Sequence, residues 1–276
     1  MDNIKCIILD VDGTLTNDKN QITEYSKTII SELIKKNIKV ILASGRSTYD
    51  VIKTSEECLA SSILISNNGA IIYDYKNKKN IYESIIPKNK LKQIWDISIK
   101  YGVDCIYNSN NIRYRKYFCL DKSYNEENDI IIEDYEDIKD NVFQVVLLSD
   151  SDTNLKLCLN EVRKIGLIIN NFQVGSNGIR VADINCKTDN KGTAVGIINK
   201  VYNIKKSEIL CIGDSINDIE MFKKCGIKVA MKNAVSELKN QADYITDYSN
   251  NENGAALFLQ KMFDKKINRL IKFRWW

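Results

Sequence analysis

Four groups of residues in this 276-residue chain have the types and spacing to do chemistry together: Asp10 with Asp12, Ser44-Gly45-Arg46, Asn190-Lys191-Gly192, and Gly213-Asp214-Ser215-Ile216-Asn217-Asp218. Three or four carboxylates gathered in one place repel one another unless a divalent cation sits among them. An all-oxygen ligand set favours Mg2+ over softer metals. A lone Asp-x-Asp is commonly a solvated turn, but here the apolar run 4–9 precedes the pair and Gly13-Thr14 follows it. The glycine can supply an unusual backbone angle, and the exposed amides of the turn can bind an anion. Lys191 adds a cation and Ser44 a hydroxyl donor, which makes a phosphate pocket beside a metal.

Composition narrows the alternatives. The chain has no histidine, which removes Ser-His-Asp and Cys-His nucleophile systems, His-ligated zinc and imidazole proton transfer together. Gly213-Asp214-Ser215 is similar to the nucleophile block of some lipases, yet that chemistry needs a histidine. The eight cysteines include no Cys-x-x-Cys pair, so metal binding through sulfur is not expected and the thiols are read as reduced. No signal-peptide core follows Met1, and every apolar run is far shorter than the roughly 18 to 20 residues of a membrane helix, so a cytoplasmic protein without a membrane span is expected. Forty Lys/Arg against 36 Asp/Glu give a net charge of +4. The basic clusters Lys35-Lys36, Lys205-Lys206 and Arg113-Tyr114-Arg115-Lys116 are short, and they read as solvated faces rather than a nucleic-acid surface.

The elements that must position these residues follow from hydrophobic period. Residues 4–9, 39–43, 63–65 and 209–212 read as buried strands, each running into a polar turn, and helices near 23–34, 47–58, 191–203 and 217–225 alternate with them. Strand, helix, strand implies right-handed parallel units, and open sheets of that kind place ligands at the carboxyl ends of their strands. Further strands at 227–230 and 244–246 and a short helix at about 234–241 close the unit, while 70–73 and 81–82 read as a hairpin. After Pro87 the pattern becomes helices at 88–101 and 152–165 over strands at 103–107, 112–118, 142–148, 167–174 and 178–184. That is an α+β unit with helices on one face of a mostly antiparallel sheet. Residues 83–185 hold 13 Lys/Arg and 16 Asp/Glu, leaving 27 and 20 elsewhere. The expected organisation is a Rossmann-like core, 1–82 with 186–276, and an inserted cap, 83–185.

These motifs resemble those of the haloacid dehalogenase-like superfamily, specifically the Cof-like phosphatases of subclass IIB. Asp10-Val11-Asp12-Gly13-Thr14, Ala43-Ser44-Gly45-Arg46, Asn190-Lys191-Gly192 and Gly213-Asp214-Ser215-Ile216-Asn217-Asp218 with Met221 match the four family motifs in order. Asn67-Asn68-Gly69-Ala70 is similar to the sequence that precedes the cap. The resemblance implies that Asp10 attacks phosphorus and that Asp12 protonates the leaving alkoxide, then activates water. It implies that Asp10, the Asp12 main-chain carbonyl and Asp214 hold Mg2+. Ser44, Gly45, Lys191 and Asn217 would bind the phosphoryl group, with Thr14, Arg46 and Asp218 in support.

Other readings stay open at this point. Lys191 alone is an ordinary surface lysine, Asn217 and Asp218 could cap a helix, and Arg46 either holds its loop or reaches substrate. In the cap, Arg113 and Arg115 share one strand face; they, or Arg180, either lie exposed or recognise a second anionic group. The basic stretch 265–276, ending in Trp275-Trp276, reads as a loosely docked helix or a contact surface. The expected function is Mg2+-dependent hydrolysis of a small phosphorylated metabolite by a monomer or weak homodimer. A phosphomutase of the same subclass and a non-catalytic metabolite-binding regulator are the alternatives.

Overall fold

The computed structural model describes residues 3–110, 112–120, 128–174 and 178–263. In chain order its first elements are β1 (Cys6–Asp10), α1 (Glu24–Lys35), β2 (Lys39–Ala43), α2 (Thr48–Glu57), β3 (Ile63–Ser66), β4 (Ile71–Asp74) and β5 (Lys79–Glu83). There follow α3 (Lys88–Tyr101), β6 (Asp104–Asn108), β7 (Arg113–Lys116), β8 (Asp129–Ile131), β9 (Gln144–Ser149), α4 (Asp152–Lys164), β10 (Leu167–Val174) and β11 (Arg180–Cys186). The last are α5 (Lys191–Val201), β12 (Ile209–Gly213), α6 (Ile219–Phe222), β13 (Ile227–Ala230), α7 (Ser236–Lys239), β14 (Tyr244–Ile245) and α8 (Gly254–Phe263).

Two sheets result. The larger has the order β14-β13-β12-β1-β2-β3-β4-β5, parallel from β14 to β3 and antiparallel through β4 and β5. β1 and β12 are buried along their whole length, because helices cover both faces of the sheet and leave no side for polar alternation. α1 begins where the Thr23 side chain accepts from the Ser26 amide, and it turns Ile29, Ile30 and Leu33 into the core. The smaller sheet has the order β10-β11-β9-β6-β7-β8. It is antiparallel except where β7 meets β8, and Leu91, Ile94, Leu155 and Val162 of α3 and α4 pack into its core. The fold is a Rossmann-like parallel core carrying an α+β cap.

Several elements differ from the sequence reading. The helix expected over 217–225 is a 3-10 turn at Ile216–Asp218 and then the single turn α6. The Asp218 carboxylate accepts from the Asp214 and Ser215 amides there and closes the chain into a capping box. α7 is likewise half its expected length. β8 escapes the period test because Ile130, Ile131 and Ile132 are consecutive and show no alternation. α8 lies beyond the expected last element and packs on α1, where Tyr25 Oη donates to Gln260 Oε1 at 2.5 Å. The stretch 265–276 lies outside the described residues. One pair of thiols departs from the reduced state: Cys211 and Cys225 form a disulfide. α6 turns the chain back beside β12 and brings their Cα atoms within 6.1 Å, inside the span a disulfide can bridge.

Candidate active site

β1, β2 and β12 end side by side, so the loops that follow them meet at one edge of the larger sheet. Asp10, the last residue of β1, is buried there. The turn Val11–Leu15 breaks helical geometry at Asp12 and Gly13, with Gly13 at φ 74°. A Cβ on Gly13 would stand 2.4 Å from Asp214 Oδ2. Only glycine therefore supplies both this angle and this approach. Thr14 Oγ1 donates to Asp214 Oδ1 at 3.1 Å and ties the turn to the end of β12.

Lys191 opens α5, whose N-cap Asn190 accepts from the Thr193 amide at 2.8 Å. The lysine is 1% exposed. Its Nζ lies 2.5 Å from Asp10 Oδ1 and 2.7 Å from Asp218 Oδ1. Burial works against the ammonium, but the charges of Asp10 and Asp218 outweigh it and hold the Lys191 pKa above the ordinary lysine value. One cation does not balance the carboxylates. Burial, and then the Asp218 charge, raise the Asp10 carboxyl well above the usual range against the pull of Lys191. Burial and Asp218 likewise push Asp214 up to about 6. Ligand oxygens of Asp10, Asp214 and Asp218 lie within 4.8 Å of one another.

This donor set fits a hard dication, since it is all oxygen and carries more negative charge than Lys191 can neutralise. Asp218 is the least suited of the three to ligate. It has no exposed surface, and its oxygens already accept from Lys191 and from two amides.

The second motif supplies donors. Ser44 is buried at the end of β2, and its Oγ accepts from the Arg46 amide at 3.1 Å. That bond leaves the hydroxyl proton to donate. The Arg46 side chain grips Asp12: Nε lies 3.1 and 2.9 Å from the two carboxylate oxygens and Nη2 2.5 Å from Oδ1. It holds the loop, and it does so through the most exposed aspartate of the cluster.

Above these groups is a cavity of about 650 Å3, lined from below by Asp10, Asp12, Ser44, Gly45, Arg46, Asp214 and Asn217. From above it is lined by the cap sheet, through Asn108 on β6, Gln144 on β9, Asn171 and Gln173 on β10, and Asp183 on β11. Strand alternation selects these residues. The same alternation turns Arg180 away from the cavity: it meets Asp152 and the carbonyls of Asp150 and Gly178. Arg113 lines the cavity, with its Nε 2.9 Å from Asp129 Oδ1. Arg115 reaches the same buried carboxylate, 3.0 Å from Oδ2, and is not among the cavity's lining residues. The arginines expected to meet a second anion thus largely meet the protein's own carboxylates. Burial pushes Asp183 up to about 6, opposed by hydrogen bonds from Asn68 and Asn171.

Sequence reasoning gathered Asp10, Asp12, Thr14, Ser44, Gly45, Arg46, Lys191, Asp214, Asn217 and Asp218, and the structure brings all of them to this edge. It missed Asn108, Gln144, Asn171, Gln173 and Asp183. Their one signal is a polar residue within an otherwise apolar strand, as with Gln144 ahead of the run 145–148.

Known proteins share this family and fold. A family profile of haloacid dehalogenase-like hydrolases matches residues 7–259. The chain is 30% identical to the 5-amino-6-(5-phospho-D-ribitylamino)uracil phosphatase YcsE of Bacillus subtilis over 254 residues, covering 92% of this chain and 94% of YcsE. It is 27% identical to YwtE of the same organism, which has the same named activity, over 94% of this chain and 98% of YwtE. A crystal structure of a haloacid dehalogenase-like hydrolase from Bacteroides thetaiotaomicron superposes with a TM-score of 0.83 at 25% identity, over 94% of this chain and all of that one. With a Rossmann-like core, a cap roofing the cavity and four motifs meeting beneath it, the chain belongs to the haloacid dehalogenase-like hydrolases, as a Cof-like phosphatase of subclass IIB.

Proposed function

We propose that this protein is a Mg2+-dependent phosphatase that hydrolyses a small-metabolite phosphomonoester through an aspartyl-phosphate on Asp10. The observation that carries this reading is the Lys191 ammonium seated between Asp10 and Asp218, 2.5 and 2.7 Å away, behind the Asp10 carboxylate that lines the cavity. A carboxylate nucleophile suits a chain without histidine. In the first step an Asp10 oxygen bonds to phosphorus as the phosphorus–oxygen ester bond breaks, and Asp12, protonated and turned from Arg46 toward the substrate, gives its proton to the leaving alkoxide. In the second, water attacks the phosphorus, Asp12 takes a proton from it, and Asp10 leaves as the free carboxylate with release of phosphate. Lys191 holds one Asp10 oxygen in place and, with Ser44 and Asn217, binds the phosphoryl oxygens. Asp218 fixes Lys191. Mg2+, held by the Asp10 and Asp214 carboxylates and the Asp12 main-chain carbonyl, would neutralise charge on the phosphoryl group.

In this reading 1–82 with 186–276 form the catalytic core, and 83–185 the cap that excludes water and selects the leaving group. The named activity of YcsE and YwtE makes 5-amino-6-(5-phospho-D-ribitylamino)uracil the first compound to assay. Phosphate release over a panel of sugar phosphates, nucleotides and that compound, with and without Mg2+, tests the proposal. Asp10→Asn should lose about a thousandfold or more. Equal turnover by wild type and Asp10→Asn would sink it, and isomerisation without phosphate release would make the protein a mutase.

A further inference from the structure

Asn68 lies after β3 in a left-handed backbone conformation, φ 56°, and is 1% exposed. Its carboxamide bridges core and cap. Nδ2 donates to Asp183 Oδ2 on β11 at 3.0 Å, and Oδ1 accepts from Asn217 Nδ2 at 3.2 Å. Asp183 can only accept here while ionised, so it dictates which end of the Asn68 amide faces the cap. Asn68 then dictates which end of the Asn217 amide faces it. The Asn217 Oδ1 is buried with no hydrogen-bond partner, so the bond to Asn68 is what fixes which end of this amide lies where. Turning over would set two amide oxygens about 3.2 Å apart.

We infer that Asn68 is a positioning residue: Asp183 orients it, and it in turn holds the Asn217 carboxamide with its N–H toward the phosphoryl group. The inference rests on the assignment of Asn217 to phosphate binding given above. It extends the phosphate site to a residue outside the four motifs, and it makes that site depend on the seated cap. Gly45 packs against the same pair; a Cβ there would stand 3.0 Å from Asn68 Oδ1 and 3.2 Å from Asp183 Oδ2.

The direction of the bonds gives the test. Asn68→Ala removes both bonds without adding charge, and Asn68→Asp replaces the donor to Asp183 with a second carboxylate about 3.0 Å from it, a repulsion that drives the side chain at 68 off Asn217. In the exchanged pair Asn68→Asp with Asp183→Asn, an aspartate at 68 accepts from both neighbours and Asn217 keeps its orientation at unchanged net charge. Both single changes at 68 should lower kcat/KM for p-nitrophenyl phosphate about tenfold and weaken inhibition by inorganic phosphate by the same factor. The exchanged pair should recover both to within about threefold of wild type. A wild-type value for Asn68→Ala, or an exchanged pair no better than Asn68→Asp, would overturn the inference. The rise in melting temperature caused by inorganic phosphate with Mg2+ reads the same order of variants without turnover. Loss of that rise in Asn68→Ala, with return in the exchanged pair, supports the inference even if wild type hydrolyses no phosphomonoester; an equal rise in all variants overturns it.

Discussion

At the scale of the residue, Lys191 is where charge is balanced. It is the cation that both buried carboxylates share, so its removal leaves Asp10 and Asp218 buried with no positive partner. Lys191→Met should cost about 3 kcal/mol of stability at pH 7, read as a lowered urea midpoint in chelator, and should abolish turnover. Asp183 sets a pH dependence of its own. Its carboxyl is raised from 3.8 to about 6, chiefly by burial, so the folded chain binds its proton more tightly than the unfolded chain does. Its contribution is therefore fully present below pH 4 and is lost as pH rises through 6. Relative to Asp183→Asn, wild type should lose on the order of 1 to 3 kcal/mol between pH 4 and pH 7. Parallel urea curves in chelator would check this; a constant difference across that range would refute it.

At the scale of the element, what positions the site is a few turns locked by backbone need. Gly13→Ala places a methyl group against the Asp214 carboxylate in an unfavourable left-handed turn. It should lower kcat at least a hundredfold while the far-ultraviolet circular dichroism stays unchanged; a drop below tenfold would show that the turn can yield. The same elements explain what the sequence made legible. β1, β2 and β12 are apolar runs because both their faces are covered, and each places its chemical residues after its last apolar one. The motifs could therefore be read locally. The face of the cap could not. Asn108, Gln144, Asn171 and Asp183 come from four strands, and they become neighbours only through the order β10-β11-β9-β6, which no local pattern encodes. Asn68 stands in a recognisable turn, yet its partner Asp183 lies 115 residues along the chain.

At the scale of the whole molecule, cap and core meet, among the described residues, through polar bonds and a small apolar contact. Gln144 Nε2 donates to the Gly45 carbonyl at 3.1 Å, and Asn185 Nδ2 to the Asn67 carbonyl at 3.0 Å. Phe143, ahead of β9, is buried against Ala70 and Ile71 of the core. Phe143→Ala should remove about 3 kcal/mol at this joint. It should raise KM and speed proteolysis between cap and core, visible as two fragments in a timed digest; unchanged KM and cleavage rate would show that the polar bonds alone seat the cap. The larger sheet has a further consequence at its margins. One edge strand, β14, is two residues long, and the other, β5, carries Lys79 and Glu83 at its ends. Neither edge offers a long uncharged row of amides and carbonyls on which a second chain could add a strand. The larger sheet is thus closed to edge-to-edge growth; among the described strands the long uncharged edge is β10 of the cap, Leu167–Val174, so strand addition by a second chain should fall there rather than beside the site.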